Sequence, residues 1–157
     1  MLRRAAVISI IITGFVWFII LQNYQPQNKI SVAVAIIEKQ GKILIAKRVG
    51  KDSWGPQWAF LGGKVERGET LHTCLVRELK EELNINANIG DYFGTHSFYL
   101  EGKEYELHAF RVTNFTGNIQ LNHEHTAFAW VKPQELSNYE IISGSLPFVK
   151  QIQERMI

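Results

Sequence analysis

Cysteine is almost absent from this chain. Its single copy, Cys74, rules out any internal disulfide. Cys74 sits among apolar residues at helical spacing and reads as a buried core thiol rather than a nucleophile. Neither sign of charge dominates, since 17 Lys and Arg against 15 Asp and Glu leave a net charge of +2. No long Lys/Arg run is present, which argues against a groove for a nucleic-acid polymer. Internal repeats and low-complexity tracts are missing too. At 157 residues, 46% hydrophobic and 20% charged, the chain has the size and composition of one globular domain plus a short extra segment.

Charge disappears altogether from Ala5 to Leu21, just after Arg3 and Arg4. That run is at the short end of the roughly 17–25 apolar residues a membrane-spanning helix needs. Trp17 lies near its far end and Tyr24 just beyond. A cleaved signal peptide has a shorter apolar core, about 7–15 residues, and ends in small residues. Here the run ends in Leu21-Gln22-Asn23-Tyr24, so an uncleaved anchor is favoured over a signal; a misassigned start is the third reading. Residues 1–22 are therefore expected to be one hydrophobic helix holding the protein at a membrane through residues 5–21. Which side the domain faces stays open, and a cytoplasmic protein is the alternative. The polar stretch 23–29, with Pro26, reads as a linker, and 30–157 as the folded domain. Nothing in the sequence fixes the oligomeric state.

Within that domain, Ile30–Ile37 and Lys42–Ala46 are strand candidates joined by a Lys39-Gln40-Gly41 turn. Trp58–Leu61 is a short strand candidate ended by the Gly62-Gly63 loop. Leu71, Leu75, Leu79 and Leu83 mark a helix over Thr70–Leu83, closed by Asn84, which tolerates a left-handed cap. Asp91–Leu100, Tyr105–Val112 and Ala127–Val131 are further strand candidates, the first two joined by a Glu101-Gly102-Lys103 turn. Short helices are expected near Pro133–Leu136 and Leu146–Met156. Helices and strands in this mixed order imply a layered α/β or α+β domain.

The informative segment runs from Gly62 to Ile85. At about 100° per residue, the four leucines of the helix span an arc from 0° to roughly 120°. On the same wheel Glu82 falls near 20°, Glu78 near −20° and Glu81 near −80°. Two carboxylates thus lie at the edge of the buried face, where repulsion and desolvation are costly without compensation. Hard divalent cations take oxygen ligands and supply it, so the cluster suggests Mg²⁺ or Mn²⁺. Gly62 and Gly63 let a backbone approach a ligand closely, and a carbonyl there could share the cation.

Gly63, five residues, Glu69, seven residues, then Arg77-Glu78-Leu79-x-Glu81-Glu82-x-x-Ile85 resembles the Nudix box. Asn84 stands where the family pattern has glycine. The resemblance runs from about Ile30 to Val149. It is similar to the MutT-type (8-oxo-dGTP diphosphatase-like) and CTP pyrophosphohydrolase-type members in Ile43–Arg48, Trp58–Lys64, Leu107–Phe110, His123–His125 and Ala129–Val131. What it implies is an α/β/α sandwich around a mixed sheet. The implied enzyme is a Mg²⁺- or Mn²⁺-dependent hydrolase that takes a nucleotide partner, converting a (deoxy)nucleoside triphosphate to monophosphate and pyrophosphate. That reaction includes the sanitising of damaged nucleotides. By the same resemblance Glu78, Glu81, Glu82, Glu124 and the Gly62 carbonyl would hold the cation. One of these glutamates would activate water, Arg77 would orient them, and Glu69 would support the loop. Arg48, Phe60, Gly62, Gly63, Lys64 and Ser145 would meet substrate. For Arg48 an exposed strand charge is an equal alternative, and for Phe60 core packing. Serine at position 145, where relatives carry Asn or Asp, leaves the base unassigned. His123 and His125 flank Glu124, but no fourth zinc ligand is evident and a cleft-closing loop is preferred. Two other functions remain in view. One is hydrolysis of another nucleoside diphosphate derivative; the other is a non-catalytic nucleotide-binding module, disfavoured because every box glutamate is kept.

Overall fold

The structure, a computed structural model, describes residues 29–50 and 56–155. The expected anchor over 5–21 and nearly all of the linker lie outside them. Among the described residues no helix is long and apolar enough to cross a membrane.

The elements run β1 (Lys29–Lys39), β2 (Lys42–Arg48), β3 (Trp58–Ala59), β4 (Leu61–Lys64), α1 (Leu71–Leu83), β5 (Asn86–Asn88), β6 (Tyr92–Leu100), β7 (Lys103–Val112), β8 (Asn114–Thr116) and β9 (His125–Val131). Two 3-10 turns, Pro133–Asn138 and Ser143–Ser145, lead into α2 (Leu146–Arg155). Lys29, assigned above to the linker, is already in β1 and pairs its ammonium with Glu106 at 2.7 Å. Seven strands form one mixed sheet. β1 pairs in parallel with β7, β6 and β7 form the second hairpin, and β9 runs antiparallel along β2. β5 and β8 make a separate two-stranded ribbon; neither is marked by local periodicity.

Alternation along the strands divides the core. Val34, Ile36, Ile43, Ile45, Leu107 and Ala109 face Phe148, Val149 and Ile152 of α2. Ala33, Ala35, Ile37, Leu44 and Phe110 face Cys74, Leu75, Leu79 and Leu83 of α1. The sheet therefore lies between two helices, as the layered expectation required. Cys74 is fully buried, and burial lifts its thiol to about 11, so it is an inert core group.

The expected single strand Trp58–Leu61 divides in two. β3 pairs with β2 at Ala46 and Lys47, whereas β4 crosses to pair with β1 from Val32 to Ala35. Phe60 sits buried at the crossover. Gly62, Gly63 and Lys64 are consequently strand residues, not a loop. Gly62 has φ +133, and a Cβ there would run into the Ala33 carbonyl, so only glycine lets β4 lie this close to β1.

α1 starts where its cap is satisfied. The Thr70 side chain accepts the Thr73 N–H at 3.1 Å, and the Thr73 hydroxyl accepts the Thr70 N–H at 2.8 Å. It stops at Asn84, in the left-handed conformation with φ 57, whose N–H reaches the Lys80 carbonyl. The following strap extends this end: Gln120 N–H bonds the Leu83 carbonyl at 2.9 Å and Asn122 N–H the Glu82 carbonyl at 3.1 Å. Carbonyls that a helix end leaves unpaired are thus taken by the segment that delivers Glu124.

Candidate active site

The side-chain exposures of the three helix glutamates follow their order around α1. Glu82 is 8% exposed, Glu78 16% and Glu81 57%. Glu82, within the leucine arc, points under β4, where its Oε2 accepts the Gly62 N–H at 2.9 Å. Glu78 lies against Gly63: a Cβ on that glycine would collide with its carboxylate. Glycine at 63 therefore makes room for an acid.

Arg77 ties the cluster together. Its Nε and Nη2 donate to the two oxygens of Glu69 at 2.7 and 3.0 Å, a bidentate pair. Its Nη1 donates to Glu78 at 2.8 Å and lies 3.4 Å from Glu81, and Nη2 also reaches the Lys64 carbonyl at 3.3 Å. The guanidinium holds the Glu69 carboxyl down at about 2. Glu69 in turn accepts the Glu66 N–H at 2.9 Å, which pins the turn between β4 and α1.

Burial acts the other way on the remaining acids. It raises the Glu78 carboxyl despite Arg77 beside it. It pushes Glu82 up to about 8, the charges of Glu78 and Glu124 adding to the effect and the Gly62 N–H and Arg48 opposing it. Burial thus works against the charged form of both carboxyls, and Arg77 partly offsets it at Glu78. The donors suit a hard divalent cation, since Glu78, Glu81, Glu82, Glu124 and the Gly62 carbonyl offer only oxygen. They do not form a ready cage: among the described residues no group of three His, Cys, Asp or Glu is gathered closely enough to hold an ion. Protein donors, Arg77 and the Gly62 N–H, occupy oxygens of Glu78 and Glu82 instead.

The other candidates fall at different distances from this cluster. Arg48 ends β2 in an exposed position, and its charge is felt by both Glu82 and His125. Glu124 is exposed, with its carbonyl bonded by the Val49 N–H at 2.8 Å. Phe60, Lys64 and Ser145 belong to the face covered by α2 rather than to the carboxylates. Lys64 lies over the Tyr105 ring at 5.8 Å, and Tyr105 stacks on Phe98 at 5.4 Å. Ser145 is buried behind Gly144, which abuts Phe98. β4 is the wall between the two groups. Its Gly63 meets Glu78 on one face and its Lys64 meets Tyr105 on the other.

His125 is not on an exposed loop. It opens β9, 8% exposed, and its pKa is lowered by burial and by the charge of Arg48. Asn122 was not singled out from the sequence, although an Asn two residues before a turn residue is a known way to accept a backbone N–H.

A NUDIX domain model matches residues 27–152. The chain is 41% identical over 121 residues to the CTP pyrophosphohydrolase of Escherichia coli K12, covering 77% of this chain and 89% of that protein. The solution structure of the E. coli ORF135 protein superposes with a TM-score of 0.75 at 39% identity, over 82% of this chain and 91% of that one. A MutT structure, from work on the Aliivibrio salmonicida and Vibrio cholerae proteins, superposes with a TM-score of 0.68 at 31% identity, over 81% and 98%.

Proposed function

This chain belongs to the NUDIX family and is a hydrolase of phosphoanhydride bonds, and from that premise we propose that it converts nucleoside triphosphates, CTP-like ones included, to nucleoside monophosphate and pyrophosphate. The observation that carries the reading is the acid cluster itself. Glu82 and Glu78 meet β4 at Gly62 and Gly63, the charge of Glu124 is felt by both, and the most buried of them, Glu82, has its carboxyl raised to about 8. Such an arrangement is costly in a merely structural helix and useful where a cation must be held.

We assign the cation, Mg²⁺ or Mn²⁺, to Glu78, Glu81, Glu82, Glu124 and the Gly62 carbonyl. When bound, it supplies positive charge to the phosphate oxygens and acidifies water for in-line attack on phosphorus. Arg77 holds Glu78 and Glu81 in place and buttresses the turn through Glu69. Glu124, exposed at the rim, is placed to take the proton from the attacking water. Arg48 at the end of β2 meets phosphate. Phe60, Lys64 and Ser145 contact the nucleoside side on the far face of β4. Water adds to one phosphorus, the bridging P–O bond breaks, and pyrophosphate leaves.

The test is a nucleotide panel with Mg²⁺ or with excess chelator, the products resolved by chromatography. Monophosphate and pyrophosphate in equal amounts, only with the cation, are expected. Stoichiometric orthophosphate would reject the bond assignment, and full activity in chelator would reject the metal. The same proposal places the enzyme at a membrane through residues 5–21, on the strength of their uncharged run.

A further inference from the structure

The catalytic reading accounts for Glu124 but not for the residues around it. Asn122 makes four connections, one of them from the His125 N–H to its carbonyl at 3.4 Å. Its backbone N–H donates to the Glu82 carbonyl at 3.1 Å, at the end of α1. Its Oδ1 accepts the Glu124 N–H at 3.0 Å and lies 3.2 Å from His125 Nδ1. Because Oδ1 is an acceptor, Nδ1 must carry the proton that joins it. The other ring nitrogen, Nε2, then points at Glu82 Oε1, 3.7 Å away, with both groups buried. Glu124 itself is held from both sides, its N–H by Asn122 and its carbonyl by Val49 N–H beside Arg48.

We propose that Asn122 and His125 are positioning residues: they lock the backbone of Glu124 to the end of α1 and brace the Glu82 side chain, so that acids from two distant segments converge on one cation. This rests on the proposed metal-dependent hydrolysis. Glu124 follows a segment hydrogen-bonded to the end of α1 through Asn84, Gln120 and Asn122, with Ile119 and Leu121 packed on the α1 core. The Asn122 N–H joins this segment to the Glu82 carbonyl, while the Val49 N–H ties Glu124 to the end of β2. Without the Asn122 side chain the Glu124 N–H loses its partner and the imidazole loses the bond that sets its tautomer. Groups that hold a metal's ligands in place in this way are worth about 10–100-fold in metal affinity or activity.

The experiment uses the full chain with Asn122→Ala, Asn122→Asp and His125→Asn. Three quantities are read: kcat and KM for CTP, Mn²⁺ affinity by electron paramagnetic resonance, and thermal unfolding in chelator. Asn122→Ala should lower kcat and weaken Mn²⁺ binding about 10-fold or more while KM moves little. Asn122→Asp keeps both acceptor functions and should recover most of the loss. His125→Asn keeps a donor toward Asn122 but withdraws the group facing Glu82, so it should weaken Mn²⁺ binding without freeing Glu124. Wild-type kcat and Mn²⁺ affinity in Asn122→Ala would overturn the proposal. So would an Asn122→Asp variant as impaired as the alanine. A drop in unfolding temperature alone, with Mn²⁺ affinity intact, would mean that the residues only support the fold. If Asn122→Ala does not fold, the aspartate and His125→Asn carry the same comparison. A wild type that hydrolyses no nucleotide would reject the proposed function, and Mn²⁺ affinity would still decide the positioning role.

Discussion

Replacing Glu82 by Gln should make the metal-free protein more stable while destroying its activity. The Glu82 carboxyl is nearly buried, and its pKa rises from 4.5 to about 8. A carboxyl whose folded value is raised holds a proton in the native state that the unfolded chain has already released. Native protein therefore binds more protons between those two values, and stability falls as pH rises through that window. The loss begins near pH 4.5 and levels off above about pH 8. At pH 7 the penalty is about 3 kcal/mol, from roughly 2.5 units at 1.36 kcal/mol each. By the same arithmetic it is below about 1 kcal/mol at pH 5 and approaches about 5 kcal/mol at pH 9. Gln imitates the protonated acid: its carbonyl can accept the Gly62 N–H and its amide can face His125. The variant should escape the penalty at every pH. For a domain of this size about 3 kcal/mol corresponds to roughly 10 °C in Tm. The assay is thermal unfolding of both proteins in chelator from pH 5 to pH 9. The gap should widen from pH 5 to about pH 8 and level off above it. Adding Mg²⁺ should then raise the wild type and leave the variant nearly unmoved, while hydrolysis by the variant falls about 100-fold. A variant no more stable than wild type at pH 8, or a gap that does not change with pH, would refute the reasoning.

Other outcomes follow from particular contacts. Gly63→Ala puts a methyl group into the Glu78 carboxylate; activity should fall at least about 10-fold, as for other displaced metal supports, and circular dichroism should show the fold retained. Leu79→Ala opens a cavity under α1 at a fully buried side chain and should cost about 2–5 kcal/mol, measured by urea unfolding. Expressed full-length protein should stay in the membrane fraction through an alkaline wash. Recovery of intact chain wholly in the soluble fraction would reject residues 5–21 as an anchor, and a shortened soluble product would favour cleavage.

What the sequence determines by itself is what repeats locally. The leucine spacing of α1 is a property of 3.6 residues per turn, and the same geometry ranks its acids. Glu82 is the most buried of the three, Glu78 next and Glu81 outermost. Hairpins at Gln40-Gly41 and Glu101-Gly102 are legible because turns demand particular backbone angles, and all four residues have positive φ. The Asn84 cap is legible for the same reason. Long-range pairing leaves no such mark. That Trp58–Lys64 changes partners at Phe60, moving from β2 to β1, depends on strands far apart in sequence. So does the fate of Gly62-Gly63: these residues read as a loop, yet they form the strand that separates the acids from the aromatic face. β5 and β8 are three-residue strands that exist only because they pair with each other. Asn122 bonds two near neighbours in sequence, Glu124 and His125, but its tie to the Glu82 carbonyl at the end of α1 is one that only the tertiary fold brings within hydrogen-bonding range. Local chemistry thus identified the acids, whereas their convergence required the sheet: a carboxylate's position along a helix is written in its own neighbours, and its distance from a second segment is not.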